Sequence, residues 1–533
     1  LLNAAAQEKA FHWTWFHFGT YPKWDLLTFH FQTYGGDMKS GNRKQLLFGY
    51  LLLVGVVASL LLGELAEAGQ NSKTQNSQLD LLIKMANHRT MGLGPERLGL
   101  LAKEAQDLGG GWFRLPRAST KMMSVLAQNP DVEYVQPNYR LRTFGHTRLE
   151  DQVRLEALAR YMRKRSDGSS LGLRPDNPAI PPSPTSMGRG PDPLFNQQWG
   201  MLDNGLQEAW KVTKGDPRIV VAVIDTGVDY THEDLLPNLW RNGKEIPDNG
   251  IDDDKNGYVD DLVGWDFAGN DNKPYDLATD NPLDLLKGDA NPGHGTHCAG
   301  NIAARAENGV GVAGVAPNVR IMSLRFITEK GSGTTADAVK AIRYAVDNGA
   351  QILSNSWGGE GEDDQSQENL ALKEAIQYSL DKGTLFVVAA GNGRKGRGFN
   401  NDSDPHPVFP ASYNFENIVT VAALDSSDRL AAFSNFGATK VHLGAPGVKI
   451  MSTTPANGYQ DTVIDKFGFK ATWDGTSMAT PIVAGAAALY WSAHPNADFR
   501  QVKTALLRSA VRIPSLTGKV ATEGKLSVKE LMK

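Results

Sequence analysis

Residues 291–300 read NPGHGTHCAG, which sets two histidines and the chain's only cysteine among small residues. Three chemistries fit such a cluster: a metal site, a thiol nucleophile beside its base, or one member of a catalytic set whose partners lie far along the chain. A single cysteine, Cys298, excludes an intrachain disulfide and a multi-cysteine zinc site. His294 opens a helix after Pro292-Gly293, and two other segments supply what an imidazole base requires. The strand VAVID ends in Asp225 before the tight turn Thr226-Gly227, and Ser477 opens the small-residue helix of DGTSMATPIVAGAAALYW. A serine hydroxyl is a poor nucleophile until an imidazole takes its proton, and a buried carboxylate must hold that imidazole in one tautomer. Asp, His, Ser is one of three chain orders in which this triad geometry occurs. Cys298 lies one helical turn after His294 on the same side, so a thiol–imidazole dyad is geometrically conceivable. Against it stand the complete serine set and a helix in which cysteine behaves as a buried small hydrophobe.

These residues need a scaffold that brings distant segments together. After Phe195 the apolar runs 218–225, 320–327, 350–357, 384–392 and 417–424 alternate with periodic helices at 335–348 and 368–382. That pattern predicts an α/β fold, a doubly wound, mainly parallel sheet with helices on both faces. Ligands in such folds bind beyond the carboxyl ends of the strands, where Asp225, Ser356 and Asn392 fall. Upstream, residues 79–139 alternate strand and helix as a small α+β ferredoxin-like unit, its second helix capped by Ser119 and stopped at Asn129-Pro130. Residues 140–191 are first basic, with RKR at 163–165, then Pro-rich, and are expected to form an exposed linker.

The sequence closely resembles the subtilisin-like serine protease family (subtilases, peptidase S8) at VIDTGVD, GHGTHCAG and GTSMATPIVAG, over roughly residues 192–531. The resemblance implies a subtilisin-like catalytic domain over 192–533, with Asp225, His294 and Ser477 as the triad and no catalytic cofactor. It implies an oxyanion hole from the Asn392 amide, within VVAAGNG, and the Ser477 backbone N–H. His297 is then structural. Extended polypeptide substrates would add a strand between Gly331-Ser332-Gly333 and Ser356-Trp357-Gly358, with an apolar or aromatic preference. Residues 79–139 resemble the family's inhibitor-like (I9-type) propeptide, which implies a self-processing zymogen whose maturation site lies between Tyr139 and Asp192. The RKR run is a candidate secondary processing site.

Two further motifs concern metals. His232-Glu233 begins like a zinc-protease H-E-x-x-H, but Leu236 stands where the second histidine belongs, so a plain surface loop is the better reading. In IDDDKNGYVDD, Asp252, Asp254, Asn256 and Gly257 match D-x-[DN]-x-[DN]-G, and Asp260 offers a further oxygen, although Val263 replaces the twelfth-position Glu. Clustered carboxylates repel without a cation, which favours structural calcium over a solvated acidic turn. The family resemblance suggests a second calcium site from Asp234, Asn308 and carbonyls of AENGVGVAG.

Bulk composition narrows the class. With 533 residues, 41% hydrophobic, 21% charged and a net charge of −4, nothing points to a nucleic-acid partner. Met38 opens a basic stretch, followed by the apolar run 46–63 and Ala66-Glu67-Ala68, the order of a secretory signal peptide cleaved after Ala68. An uncleaved membrane anchor is the alternative. Residues 1–37 precede this export signal and are read as a non-native leader without assigned function. The secreted enzyme has one rival of another class, a catalytically silent binding protein that keeps the fold; that would require damage to a triad or oxyanion position, and the sequence shows none.

Overall fold

In a computed structural model, the described residues are 79–86, 105–144, 178–182, 190–279, 290–359, 369–466 and 469–533. The chain divides into units 1–75 and 76–533, and every described residue belongs to the second. The expected leader and signal peptide, residues 95–104 of the first helix expected in 79–139, and the RKR run lie outside the described residues, and Gln106, expected at that helix's end, opens a strand instead.

The large sheet is built from aliphatic runs that end in chemistry-bearing residues. In chain order its main strands are β6 (Val220–Asp225), β7 (Gly264–Asp266), β8 (Arg320–Arg325), β10 (Ile352–Asn355), β12 (Leu385–Ala389), β13 (Ile418–Leu424) and β14 (Leu443–Pro446). They lie in the spatial order β14-β13-β12-β10-β6-β8-β7, all parallel, and Gly524–Lys525 and Val511–Arg512 extend the β14 edge of this nine-stranded sheet. Because side chains alternate across a strand, Val221 and Val223 enter one core while Val220, Ala222 and Ile224 enter the other. The first core holds the helices α2 (His294–Ala303) and α5 (Thr476–Ala493); the second holds α3 (Thr335–Asp347) and α4 (Leu370–Asp381). This is the expected doubly wound α/β architecture. The short strands β7 and β14 were not legible as apolar runs.

The upstream unit is a four-stranded antiparallel sheet in the order β2-β3-β1-β4, from β1 (Leu79–Met85), β2 (Gln106–Gly109), β3 (Trp112–Ala118) and β4 (Val132–Pro137). Helix α1 (Thr120–Leu126) starts where expected, with the Ser119 side chain accepting from the Met122 N–H. This unit docks by supplying acceptors to helix starts, whose first N–H groups lack intrahelical partners. Gln136 Oε1 accepts from Ala371 N at the head of α4, and Asn138 Oδ1 from Ala336 N at the head of α3.

Beyond Tyr139 the structure departs from the expected linker. Residues Arg140–Thr143 form a strand, β5, inserted between β9 (Ser332–Thr334) and β11 (Trp357–Gly358) and antiparallel to both. Residues 140–143 are therefore strand rather than linker, because two strand edges of the larger body supply backbone partners that sequence pattern cannot reveal. Among the described residues no helix is long and apolar enough to cross a membrane.

Candidate active site

Three elements converge at the carboxyl ends of the central strands. Asp225 closes β6, His294 is the first residue of α2 and Ser477 the second of α5. His294 Nδ1 lies 2.7 Å from Asp225 Oδ1, and both side chains are 1% exposed. Burial works against the imidazolium, but the Asp225 carboxylate outweighs it and holds the His294 pKa well above the ordinary histidine value. In the neutral imidazole, with Nδ1–H donating to the carboxylate, Nε2 carries the lone pair, and that nitrogen is buried without a hydrogen-bond partner among the described residues. Ser477 Oγ–H donates to the Ser356 carbonyl at 3.0 Å, so the hydroxyl must swing from that carbonyl to reach His294.

The start of α2 is held by residues that sequence reasoning missed. Asn291 Oδ1, two residues before the N-cap Gly293, accepts from Gly293 N and His294 N, both at 2.9 Å, and so satisfies the first free N–H of the helix. Asn291 Nδ2 in turn donates to Asp276, which also accepts from the Thr226 hydroxyl and from the N–H and hydroxyl of Thr296. Asp276 thus ties the Asp225 turn to the His294 helix, and burial pushes its carboxyl up to about 6. Close approach of these elements requires glycine: a Cβ on Gly295 would lie 2.0 Å from the Gly227 carbonyl oxygen.

Pro481 lies inside α5 and has no N–H, so the Ser477 carbonyl four residues earlier loses its helical partner. The Ser356 hydroxyl takes that position at 3.0 Å, and Cys298 Sγ lies 3.6 Å from the same oxygen. Cys298 Sγ is 3.9 Å from His294 Nδ1, the nitrogen already committed to Asp225, and burial pushes its thiol pKa up. A thiol so placed is a poor nucleophile. His297 stacks on Trp473 with ring centroids 4.2 Å apart, and its Nε2 lies 2.9 Å from the Ile450 carbonyl. Burial pulls its pKa down to about 3, so it is a neutral structural group.

Asn392 lies just past β12 with its amide orientation fixed. Its oxygen accepts from both the N–H and the hydroxyl of Thr476 at 2.9 Å, which leaves the NH₂ pointing into the cleft. That NH₂ donates at 2.7 Å to the carbonyl oxygen of Phe144, at the end of β5. The six expected substrate-edge residues flank this strand: Arg140, Leu141 and Arg142 pair with Thr334, Gly333 and Ser332, and Thr143 and Arg142 with Trp357 and Gly358. Gly331 sits in the turn before β9 with φ +70°, and the Ser356 carbonyl accepts from Phe144 N at 3.1 Å.

The acidic motif is only partly as expected. Glu245, Asp252 and Asp254 bring carboxylate oxygens within 4.8 Å of one another, and Glu245 is a residue the motif did not include. Asp260 turns away from them: its φ is +54°, and its carboxylate accepts from Asn249 N and Gly250 N, closing a neighbouring turn. Asn256 donates its amide to Asp261 rather than offering oxygen to the cluster, since its Oδ1 accepts from Tyr258 N. At the second place, Asp234 is fully buried, and burial pushes its carboxyl up to about 7. Such a carboxylate suits a cation. Asn308 presents its amide nitrogen to Asp234 at 2.7 Å, so it would ligate only with its amide turned over. Asp192, which accepts from Asn308 N and Glu307 N, adds a carboxylate beside this pair. His232 is buried against the Gly458 carbonyl and takes the Asp234 N–H on Nδ1, as a structural histidine does.

A model of the subtilase family matches residues 216–528. The chain is 39% identical over 324 residues to the thermophilic serine proteinase of Bacillus sp. (strain AK1), covering 58% of this chain and 65% of that protein. It is 33% identical over 337 residues to thermitase of Thermoactinomyces vulgaris, covering 63% and 96%. It is 34% identical over 324 residues to subtilisin-like protease 2 of Plasmodium falciparum (isolate 3D7), covering 60% and 21%. The chain therefore spans just under two thirds of the first relative, nearly all of thermitase and about a fifth of the third. With the family match extending across the Asp225, His294, Asn392 and Ser477 segments, the chain belongs to the subtilase family.

Proposed function

We propose that this chain is a serine endopeptidase made as a self-processing precursor. One observation carries the reading: a peptide carbonyl, that of Phe144, is held 2.7 Å from the Asn392 amide beside Ser477 while its own N–H donates to Ser356. An acyl group about to be attacked needs this placement. Ser477 Oγ attacks the carbonyl carbon as its proton passes to His294 Nε2, and the Asp225 carboxylate stabilises the imidazolium. Negative charge on the carbonyl oxygen meets the Asn392 NH₂ and the Ser477 backbone N–H at the start of α5. Gly475 leaves room for that oxygen, because a Cβ there would come within 2.5 Å of it. His294 then returns its proton to the leaving amine, and water completes hydrolysis.

Substrates in this reading are extended polypeptides that replace β5 between β9 and β11. Residues 79–144 are the enzyme's own inhibitor and folding template, which the docking of Gln136 and Asn138 on α4 and α3 supports. The basic-apolar-small order of residues 38–68 supports export and an extracellular place of action. Calcium is the proposed structural ion, at Glu245, Asp252 and Asp254 and at Asp192, Asp234 and Asn308. The decisive test is Ser477→Ala. Casein hydrolysis should fall by ~10⁶-fold, the scale known for a subtilisin nucleophile, with the circular dichroism unchanged. Retained activity would refute the assignment.

A further inference from the structure

We propose that the first self-cleavage of this chain breaks the peptide bond after Phe144, and that this bond is selected because the cleft buries the Leu141 and Phe144 side chains. The inference rests on the peptidase reading above and deepens it. Residues 140–143 pair through their backbone with an edge on each side, the mode in which pockets read individual side chains of an added strand. Leu141 and Phe144 are 0% and 3% exposed, whereas Arg142 and Thr143 between them are only partly buried. Leu141 and Phe144 belong to the catalytic body's own core, beside Phe326, Ala336 and Trp357. The Phe144 ring lies over Gly358 so closely that a Cβ on that glycine would fall 2.6 Å from the ring's Cζ. Glycine is thus what leaves this pocket deep enough for an aromatic side chain.

The backbone contacts fix which bond is presented. Of the upstream carbonyls, that of Phe144 meets the Asn392 amide, while that of Tyr139 is committed to Thr335 N at 2.9 Å, a strand's length away. Attack by Ser477 Oγ on the Phe144 carbonyl carbon forms an ester and breaks the C–N bond to Gly145. The serine proton travels through His294 to the Gly145 nitrogen, which leaves as an amine. Water then adds to the ester carbon, giving the Phe144 carboxylate and restoring the Ser477 hydroxyl. Downstream residues remain docked on the catalytic body: the carbonyls of Pro178 and Pro181 accept from Tyr230 Oη at 2.7 Å and from Arg241 at 2.6 Å. The product beginning at Gly145 therefore keeps its tether until any later trimming.

A refolding time course of the full chain, read by intact mass and N-terminal sequencing, tests the bond; casein hydrolysis is followed in parallel. The earliest product should begin at Gly145, and Phe144→Asp should slow its appearance at least ~10-fold. Since Phe144→Asp could also impair folding, the mature enzyme is assayed with Leu-Arg-Thr-Phe-p-nitroanilide. Its kcat/KM should exceed that of Leu-Arg-Thr-Asp-p-nitroanilide and of Ala-Arg-Thr-Phe-p-nitroanilide by at least ~10-fold each. Casein hydrolysis with an earliest product that starts elsewhere, or with no preference among the peptides, overturns the inference and leaves the peptidase reading standing. Neither self-cleavage nor casein hydrolysis overturns both.

Discussion

The catalytic cleft and the acidic loop 242–261 are both built around buried carboxylates, yet they are organised in opposite ways. The cleft draws Asp225, His294, Asn392 and Ser477 from four distant segments, and it leaves His294 Nε2 and Asp225 Oδ2 buried without partners. The loop draws its carboxylates from one short stretch and spends most of their oxygens on nearby N–H groups: Asp252 on Asn256 and Gly257, Glu245 on Asp254 and Asp260. An imidazole nitrogen without a partner beside a serine is free to take that serine's proton. Carboxylate oxygens satisfied by nearby N–H groups shape a turn. The difference teaches that the cleft is organised for chemistry and the loop for stability, so perturbing one should leave the other's property largely alone.

The largest expected effect is on the cleft alone. Asp225→Asn keeps the shape but loses the carboxylate that orients His294, and kcat on a peptide substrate should fall by ~10⁴-fold. The melting temperature should move little. Asn392→Leu removes one oxyanion donor and should lower kcat by ~10²- to 10³-fold with KM nearly unchanged; a change confined to KM would mean that the amide binds ground-state substrate only. The raised His294 pKa gives a pH test with a definite sign. Only the neutral imidazole accepts the serine proton, so kcat/KM should fall as pH drops through a limb lying above ~6.5, by ~10-fold per unit below it. A flat profile from pH 6 to 8 would contradict that coupling to Asp225. The smallest effect belongs to the loop and the Asp234 site. Chelation should lower the melting temperature by ~5 °C while leaving kcat at 25 °C unchanged. Glu245→Gln should remove part of the calcium-dependent increment, and Asp260→Asn should not. Calorimetry of the two variants with and without calcium separates them.

The cleft was legible in the sequence because each of its side chains stands at an end of an element: Asp225 closes a strand, His294 and Ser477 open helices, and Asn392 follows a strand. Strand pattern places Asp225 and Asn392 at such ends, the resemblance of GHGTHCAG and GTSMATPIVAG to the family supplies His294 and Ser477, and the parallel sheet gathers them. Asp276 and Asn291 were not legible, because their roles consist of contacts to Thr226, Thr296 and the His294 backbone that no spacing encodes. The same holds for Glu245, seven residues before Asp252, and for Asp260, whose left-handed backbone turns a matching residue away. Strand β5 reads as the start of a basic linker and is ordered only by the two edges it joins.

The central claim is that Ser477 alone is the activated nucleophile. Treating the mature enzyme with a serine-directed phosphonylating reagent and mapping the labelled peptide tests it most directly. The account predicts one equivalent of label on Ser477, with activity lost in proportion. Label on Cys298 or on another serine, or full inactivation without label at Ser477, would contradict it.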